Sequence, residues 1–322
     1  MLRNTISNIQ EKFFGKNPML NFILRNIFKT SPLKAMLLSV YTLPVRNMLK
    51  PADDTLVGKY TFTVSPEYYS QLHDLLSIGK AENFGLVRVG QNKDGGYVML
   101  DDFSTGGTAY SFGIANDVSW DKDMVSRGYD VFMYDHTIDR LPEENSHFHW
   151  SKLGISDGVT QDGRLKTLEE LISVNHHEDK QNMILKMDVE GAEWGFFENV
   201  KTETLAKFSQ MTLEIHDMIN PSDSERTLNV LRKINETHQL VHLHANNIVN
   251  YVTIGGKNFC SSLEVSYVLR SKYKFIENYD VNLPSDIDMP CINGLPEIEL
   301  GHWNGKMSEM NEIVTHTSTF RY

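Results

Sequence analysis

The chain has 322 residues, of which 40% are hydrophobic and 10% aromatic, enough to bury the core of one large domain or two smaller ones. Its net charge of -11 argues against binding to nucleic acid, and its two cysteines are too few for a disulfide framework. No apolar run reaches the roughly 18 residues of a membrane span, and the N-terminus lacks the apolar core of a signal peptide. These features predict a globular protein of a reducing compartment, most simply the cytoplasm.

Residues 1–77 predict a basic N-terminal helical arm or cap. Within this segment, residues 1–50 hold eight Lys or Arg against one Glu, so they carry +7 and the rest of the chain carries -18. Short apolar clusters such as "NFILRNIF" alternate with prolines, which is typical of short helices. The segment suits either a cap or homodimerisation arm, which we favour, or peripheral contact with an anionic membrane surface.

From residue 84 onward, short β-rich runs alternate with helical stretches, which is typical of a parallel sheet covered by helices on both faces. We therefore predict an α/β fold with a doubly wound, mostly parallel seven-stranded sheet. The predicted strands are Ala109–Phe112, Asp130–Tyr134, Phe148–Lys152, Met183–Met187, Met211–Ile215, Leu240–Leu243 and Val265–Leu269. The predicted helices are Val118–Arg127, Leu165–Val174, Ala192–Val200 and Ser222–Thr237.

Three carboxylates follow the most strand-like run of the chain. The run "MILKM", residues 183–187, has the length and apolar character of a central strand. Ligands of such sheets bind beyond the carboxyl ends of the strands, so Asp188 is predicted to face the cleft. Gly191 permits a turn, and Glu190 and Glu193 lie at the start of a helix, where the dipole favours negative charge. A purely structural role is the alternative for both glutamates, and we favour it for Glu193.

The first two predicted strands end in a pattern typical of nucleotide-binding units. Gly113 follows the first strand in "AYSFGIANDVSW", where a glycine lets the backbone approach a ligand closely. Asp135 ends the second strand, 22 residues further on, where a carboxylate commonly accepts hydrogen bonds from two ribose hydroxyls. The two positions together predict a nucleotide-like ligand more firmly than either does alone.

The stretch "ILKMDVEGAEW" resembles the signature of the FkbM-like family of class I S-adenosylmethionine-dependent methyltransferases, whose members carry a D-x-E-G-x-E stretch at the fourth strand. The segments "VGQNKDGGYVMLDD", "YSFGIANDVSWD" and "DIDMPCINGLPEIELG" are similar to other parts of this family and its relatives. The resemblance covers about residues 84–303. It implies a Rossmann-like methyltransferase domain over residues 78–303, followed by a C-terminal tail over residues 304–322.

The resemblance also implies how the cofactor is held. The residues implied to contact S-adenosylmethionine are Gly113 and Asn116 at its methionine part, Asp135 at its ribose, Leu153 and Gly154 at its adenine, and Asp188 beside its sulfonium. The chain departs from the family pattern in its first loop, where only one of three alternate glycines remains. Asp117 replaces the last of them, so it must either cap the following helix or contact the ligand.

Methyl transfer to a hydroxyl needs a base that removes the proton, or a metal that lowers the pKa of the hydroxyl. The next strand end, "LEIHD", supplies Glu214, His216 and Asp217. Period-two geometry places Glu214 and His216 on one face, with His216 nearer the cleft. We predict Asp188, His216 and Glu190 as catalytic residues. Direct base catalysis by His216 is slightly favoured over Mg²⁺ or Mn²⁺ bound by Asp188, His216 and Asp217.

The strand end "VHLHANN" supplies the predicted acceptor-binding residues His244, Asn246 and Asn247. If the usual methyltransferase strand order holds, this strand lies about 14 Å from Asp188, too far for His244 to share a metal with it. Asparagine amides donate and accept hydrogen bonds, which suits a hydroxylated acceptor. For His242 a core position is the favoured alternative, and it is also an alternative for His244.

We therefore predict an S-adenosylmethionine-dependent methyltransferase that O-methylates a hydroxyl of a sugar, a glycan or another polar metabolite. The first alternative is an N- or carboxyl-methyltransferase, because an amine acceptor needs less activation than an alcohol. The second alternative is a non-catalytic protein that binds S-adenosylmethionine or a nucleotide sugar within a surface-polysaccharide assembly. The depleted glycine loop and the basic arm are the features that support this last alternative.

Overall fold

The computed structural model describes residues 64–103, 106–158, 162–219, 221–276, 279–308 and 314–316. Its helices are α1 (Pro66–Leu75), α2 (Ser119–Ser126), α3 (Leu168–Val174), α4 (Glu193–Asn199), α5 (Thr202–Leu205) and α6 (Ser224–Thr237). Its strands are β1 (Lys80–Ala81), β2 (Leu86–Val89), β3 (Tyr97–Leu100), β4 (Gly107–Phe112), β5 (Tyr129–Tyr134), β6 (Phe148–Ser151), β7 (Gly154–Ile155), β8 (Leu165–Lys166), β9 (Met183–Met187), β10 (Phe208–Ile215), β11 (His238–Ala245), β12 (Tyr251–Ile254), β13 (Lys257–Cys260), β14 (Leu263–Leu269), β15 (Phe275–Ile276), β16 (Asn282–Leu283), β17 (Gly301–His302) and β18 (Val314–His316). Within these ranges, every helix is too short or too polar to cross a lipid bilayer.

The central feature is a seven-stranded sheet with the strand order β11, β14, β10, β9, β4, β5, β6. Strands β10, β9, β4, β5 and β6 pair in parallel, whereas β14 runs antiparallel to both β10 and β11. All seven predicted strands belong to this sheet, so the predicted α/β fold is confirmed. The strand order also agrees with that expected for the class I methyltransferase fold, since β9 and β10 are neighbours and β14 separates β10 from β11.

Strand β9 shows how the sheet divides the core into two layers. All five of its residues are buried. Leu185 packs in the layer that includes α1, α3, α4 and α6, whereas Ile184 packs in the opposite layer with the β2–β3 hairpin and α2. Because side chains alternate along a strand, Lys186 and Asp188 lie on the same side as Ile184. The hairpin therefore covers the polar end of β9.

Local capping explains where two predicted helices begin. The predicted helix Leu165–Val174 starts three residues later, at Leu168, because Thr167 and Glu170 form a capping box. The two residues before the cap form β8, which pairs with β7. Helix α6 starts at Ser224, because the Asp223 side chain accepts a hydrogen bond from the Arg226 amide at 2.9 Å.

The first described helix, α1, packs with the domain. Residues 1–63 of the predicted arm lie outside the described residues, but α1, which the prediction also placed in the arm, is buried in the main core through Tyr69 and Leu72. Segments at the other end of the domain hold α1 in place. The Trp303 indole donates to the carbonyl of Leu76 at 2.9 Å, and Asn304, predicted to start the tail, accepts from the Ile78 amide at 2.9 Å. Helix α1 and Asn304 therefore pack with the domain, although they lie outside the predicted boundaries at 77/78 and 303/304.

Candidate active site

The loop after β4 turns sharply beneath the carboxyl edge of the sheet. Gly113 has a φ of +76°, and a Cβ at this position would lie 1.6 Å from the carbonyl oxygen of Asp188. Only glycine fits there, because any side chain would collide with the neighbouring strand end. The buried Lys186 side chain donates to the Gly113 carbonyl at 2.5 Å and fixes the turn. Asn116, predicted to lie under the methionine part of the cofactor, is exposed in this loop.

The Asp117 carboxylate, which could either bond to the following helix or contact the ligand, is hydrogen-bonded to the start of α2. Its Oδ1 atom accepts from the backbone N–H of Ser119, the first residue of α2, at 3.1 Å. Its Oδ2 atom accepts from the Ser119 hydroxyl at 2.8 Å and from the Gln91 amide at 2.9 Å. The carboxylate thus satisfies the first amide of α2 and joins the helix to the β2–β3 loop.

Asp135, predicted to bind the ribose, is buried, and its carboxylate already accepts four hydrogen bonds. Oδ2 accepts from the amides of Ile114 and Ala115 at 3.0 and 2.9 Å. Oδ1 accepts from the amide and the hydroxyl of Thr137 at 2.7 and 2.6 Å. Burial alone would raise the pKa of Asp135, but these hydrogen bonds lower it below its ordinary value. Asp135 therefore shapes the loop after Gly113, and its ribose contact stays a prediction that requires some of these bonds to exchange.

The predicted adenine residues lie beside β5. Gly154 is buried in β7, where a Cβ would lie 2.3 Å from Nδ1 of His136 and 2.8 Å from the Leu165 side chain. Leu153 is partly buried and packs against the main core. The close approach of His136, which directly follows Asp135, explains why glycine occupies position 154.

Asp188 follows β9 and faces the β2–β3 hairpin. Its Oδ2 atom accepts from the hydroxyl of the buried Tyr97 at 3.4 Å. Its Oδ1 atom is buried and has no hydrogen-bond partner among the described residues. A buried carboxylate oxygen without a partner is costly, so this atom marks a position where a donor or a cation is expected.

His216 follows β10, and its imidazole is held by a carboxylate from the next helix. Oε1 of Glu193 lies 2.9 Å from Nδ1 of His216 and also accepts from the Val189 amide at 3.2 Å. Glu193 is fully buried, and its second oxygen has no partner among the described residues. The other ring nitrogen, Nε2, lies 3.6 Å from Glu214 and 3.8 Å from the exposed Glu190.

Charge governs the protonation of these groups. Burial would lower the pKa of His216, but the hydrogen bond and charge of Glu193, with further charge from Glu214 and Asp188, raise it to about 9. Burial, followed by repulsion from Asp188 and Glu264, raises the pKa of Glu214. Both shifts favour the protonated forms, an imidazolium at His216 and a neutral carboxyl at Glu214.

One group of side chains at this edge has the donor spacing of a metal site, and it includes Glu193 but not Asp217. Asp188, Glu193 and His216 each offer a donor atom, and these atoms all lie within 4.8 Å of one another. Asp217 is exposed on a turn with a φ of +58° and does not belong to this group. Glu193, interpreted from the sequence as a helix-start residue, takes the place predicted for Asp217.

The three residues predicted to bind the acceptor are all buried and bonded within the protein. His244 lies between two carboxylates, with Nδ1 2.9 Å from Glu264 and Nε2 3.2 Å from Glu297. Asn246 donates to Glu214 at 3.0 Å. Their direct contact with an acceptor stays a prediction, because in this structure they organise the wall of the cleft.

Asn247 and His242 tie the C-terminal segment to β11. The Asn247 amide donates to the carbonyl of Ile292 at 3.2 Å and accepts from the amide of the same residue at 3.0 Å. His242 Nε2 lies 3.2 Å from Asp288, and both side chains are buried. His242 is thus a satisfied core group, which was the favoured alternative for this residue.

Strand pairing shows why the polar residues meet. Glu264, near the start of β14, lies opposite Glu214 of β10 on one side and opposite His244 of β11 on the other. The three side chains form one row across neighbouring strands at the cleft edge. Asp94 from the β2–β3 loop approaches Glu214 and Glu264, with carboxylate oxygens within 4.8 Å of one another. Sequence reasoning did not assign Glu264 a role, although its charge inside an apolar strand was a signal.

The family match agrees with this geometry. The model of the methyltransferase FkbM domain matches residues 60–239, more than half of the chain. No curated protein matches the chain. One solved structure, titled "Putative hemolysin from Streptococcus thermophilus", is 10% identical with a TM-score of 0.26; the match covers 50% of this chain and 58% of that one, and at this score it says nothing about fold or function. The chain belongs to the FkbM methyltransferase domain family.

Proposed function

We propose that the protein uses S-adenosylmethionine to methylate a hydroxyl group of a sugar, a glycan or another polar metabolite. The observation that carries the proposal is the pair of Asp188 and His216 at adjacent strand ends. Asp188 presents a buried carboxylate oxygen without a partner among the described residues, and His216 presents Nε2 on the same side of the sheet. Such a pair suits a reaction that brings a cationic donor next to a hydroxyl.

The residues at the strand ends fit the cofactor. The unpartnered oxygen of Asp188 is suited to a cationic ligand, and Gly113 keeps the loop after β4 free of a side chain. Gly113 and Asn116 would hold the methionine part, Asp135 the ribose, and Leu153 and Gly154 the adenine. When bound, the cofactor supplies a methyl group on a sulfonium, and the acceptor oxygen displaces the sulfur.

His216 would take the hydroxyl proton at Nε2. Nδ1 donates to Glu193, so this carboxylate orients the ring and stabilises the imidazolium that forms. Because the pKa of His216 is about 9 in the free protein, Nε2 must lose a proton before it can act as a base. A positive charge bound beside Asp188 would lower this pKa by repulsion. The proposal therefore expects turnover to rise as the pH increases from about 7 to about 9.

A metal version of this chemistry uses the same residues. Asp188, Glu193 and His216 have the donor spacing of a metal site, and Mg²⁺ or Mn²⁺ there would acidify the acceptor hydroxyl. Because Nδ1 of His216 is already bonded to Glu193, we favour the base. Full turnover in EDTA supports the base, whereas recovery after EDTA with Mg²⁺ or Mn²⁺, but not with Zn²⁺, supports the metal.

The test separates binding from chemistry. Asp188→Asn and His216→Ala should each lower turnover on crude glycan precursors at least about 100-fold, as expected for loss of a general base or its partner. The affinity for S-adenosylhomocysteine, measured by calorimetry, should change little, and the exposed His147→Ala serves as the control. If neither substitution slows turnover, the reaction takes place elsewhere.

The same experiment addresses the alternatives. Methylation of an amine or a carboxylate, identified by mass spectrometry of the product, would replace the proposed O-methylation. Cofactor binding without turnover on any acceptor would favour a non-catalytic partner in surface-polysaccharide assembly. The hydroxyl proposal is preferred because an alcohol acceptor needs a base or a metal, and the imidazole of His216 beside carboxylates can act as that base, whereas an amine needs less activation.

A further inference from the structure

A second group of potential ligands lies in the row beyond Glu214. It consists of His244 from β11, Glu264 from β14 and Cys291 from the C-terminal segment, which are 2%, 4% and 3% exposed. Each offers one donor atom, and the three atoms lie within 4.8 Å of one another. His244 Nδ1 is 2.9 Å from one oxygen of Glu264, and Cys291 Sγ is 3.5 Å from the other. A nitrogen, an oxygen and a sulfur thus converge in the protein interior.

The surroundings hold these three side chains in place. Glu297 accepts from the other ring nitrogen of His244, Nε2, at 3.2 Å, and this leaves Nδ1 facing Glu264. A carboxylate that holds the outer nitrogen of a histidine is the usual support of a metal-binding imidazole. Asn247 binds both backbone groups of Ile292, next to Cys291.

The charge around the group favours a cation. One side-chain oxygen from each of Glu264, Glu214 and Asp94 lies within 4.8 Å of the other two, and Glu297 adds a further acid beside His244. Burial and repulsion together raise the pKa of Glu214, and a cation here would offset the repulsion. Burial, followed by the charge of Glu264, raises the pKa of the Cys291 thiol. A bound cation would reverse this effect, since metal binding stabilises a thiolate. Without one, His244 bridges Glu264 and Glu297 through hydrogen bonds, and the thiol of Cys291 lies beside Glu264.

We propose that His244, Glu264 and Cys291 bind one zinc ion. Imidazole nitrogen, carboxylate oxygen and thiolate sulfur are the ligand types that zinc takes, whereas a thiolate suits Mg²⁺ and Ca²⁺ poorly. Three protein ligands leave one coordination position free, as in zinc sites that bind water or a substrate. The site is separate from Asp188 and His216 and does not rest on the proposed methyl transfer.

Metal content and cobalt substitution test the proposal on the full chain without a histidine tag. We expect about one zinc ion per chain by elemental analysis, and Co²⁺ exchanged into the site should give a thiolate-to-cobalt charge-transfer band. Cys291→Ser should remove the band and weaken zinc binding at least about 100-fold. Cys260→Ser is the matched control, because Cys260 is the second buried free cysteine and should leave both unchanged. Glu297→Gln should weaken zinc binding about 10–100-fold, as expected for the outer carboxylate.

Two results would overturn the proposal: wild-type protein without the charge-transfer band, or a band of equal strength in Cys291→Ser. The first result would mean that His244, Glu264 and Cys291 form a hydrogen-bonded cluster that does not bind a metal. If Cys291→Ser does not fold, Cys260→Ser still decides the question. The chain has two cysteines, so a band that persists in Cys260→Ser comes from Cys291 and a band that disappears excludes the site.

Discussion

Nδ1 of His216 lies 2.9 Å from a carboxylate oxygen of Glu193, which is completely buried. The two residues come from different elements, since His216 follows β10 and Glu193 opens α4. The contact fixes the ring and leaves Nε2 as the nitrogen that faces the other acids of the cleft. It also sets the charge of the ring, because an anion at this distance stabilises the imidazolium.

Glu193→Gln should therefore lower the pKa of His216. Burial lowers this pKa and Glu193 raises it, so the variant loses the main contribution that brings it to about 9. We expect the acidic limb of the profile of kcat/KM against pH to move down by at least about one pH unit. Glu198→Gln, on the exposed side of the same helix, is the control. An unchanged limb would show that the titrating group is not His216.

Glu214→Gln should change how stability depends on pH. The pKa of Glu214 is raised from 4.5 to about 8 in the folded protein. Between these pH values the folded state binds more protons than the unfolded state, so the free energy of unfolding falls as the pH rises from about 4.5 to about 8. Glutamine keeps an oxygen for Asn246 and Ser262 without the charge. The melting temperature of the variant should match the wild type near pH 5 and exceed it near pH 8.5. Equal melting temperatures of the variant and the wild type at both pH values would contradict the raised pKa. Glu203→Gln, at an exposed position, is the control for loss of a charge alone.

Asp135→Ala should weaken binding of S-adenosylhomocysteine by about 1.5–3 kcal/mol, the size expected for loss of charge-assisted hydrogen bonds. The variant removes the acceptor of the Ile114 and Ala115 amides, so the cofactor loop loses its support even before any ribose contact is considered. Calorimetric titration measures the change. Asp130→Ala, at an exposed position in β5, should bind normally. Normal binding by Asp135→Ala as well would show that the loop after β4 does not contact the cofactor.

Truncation tests the domain boundary. A chain that begins at Val64 should keep the cooperative unfolding of the domain, whereas one that begins at Ala81 should not fold. The longer truncation removes α1, including Tyr69 and Leu72, and each fully buried side chain of this kind contributes roughly 1.5–3 kcal/mol. Several such losses approach the 5–15 kcal/mol typical of a whole domain. If circular dichroism shows cooperative melting of the chain that begins at Ala81, α1 belongs to a separate arm and not to the domain core.

The sheet was predictable because its signal is local. Runs such as Met183–Met187 are apolar along their whole length and are bounded by turn residues, so their positions depend little on the rest of the chain. The strand ends then located Asp188 and His216. The first residue of α3 was harder to predict. It depends on the paired hydrogen bonds between Thr167 and Glu170, which place the start of the helix at Leu168.

The partners of the site residues were not predictable in the same way. Glu193 looks like any acid at the start of a helix, and its bond to His216 exists only because β9 and β10 are adjacent. The partners of His244 are more distant still, since Glu297 lies 53 residues further along the chain. Contacts of this kind depend on how the loops fold back onto the sheet, which the hydrophobic periodicity of the sequence does not predict.

The family match ends at residue 239, in the second residue of β11. The proposed methyl-donor side, with Gly113, Asp135 and Asp188, falls inside the match, as does Glu214, whereas His244 and Glu264 fall outside it. The two sides of the cleft therefore come from different parts of the gene. Under the proposed function, exchange of the residues after 239, about a quarter of the chain, would change the proposed acceptor side and leave Gly113, Asp135 and Asp188 in place. Because residue 239 lies inside β11, a chimaera joined there would combine strands of one sheet from two proteins.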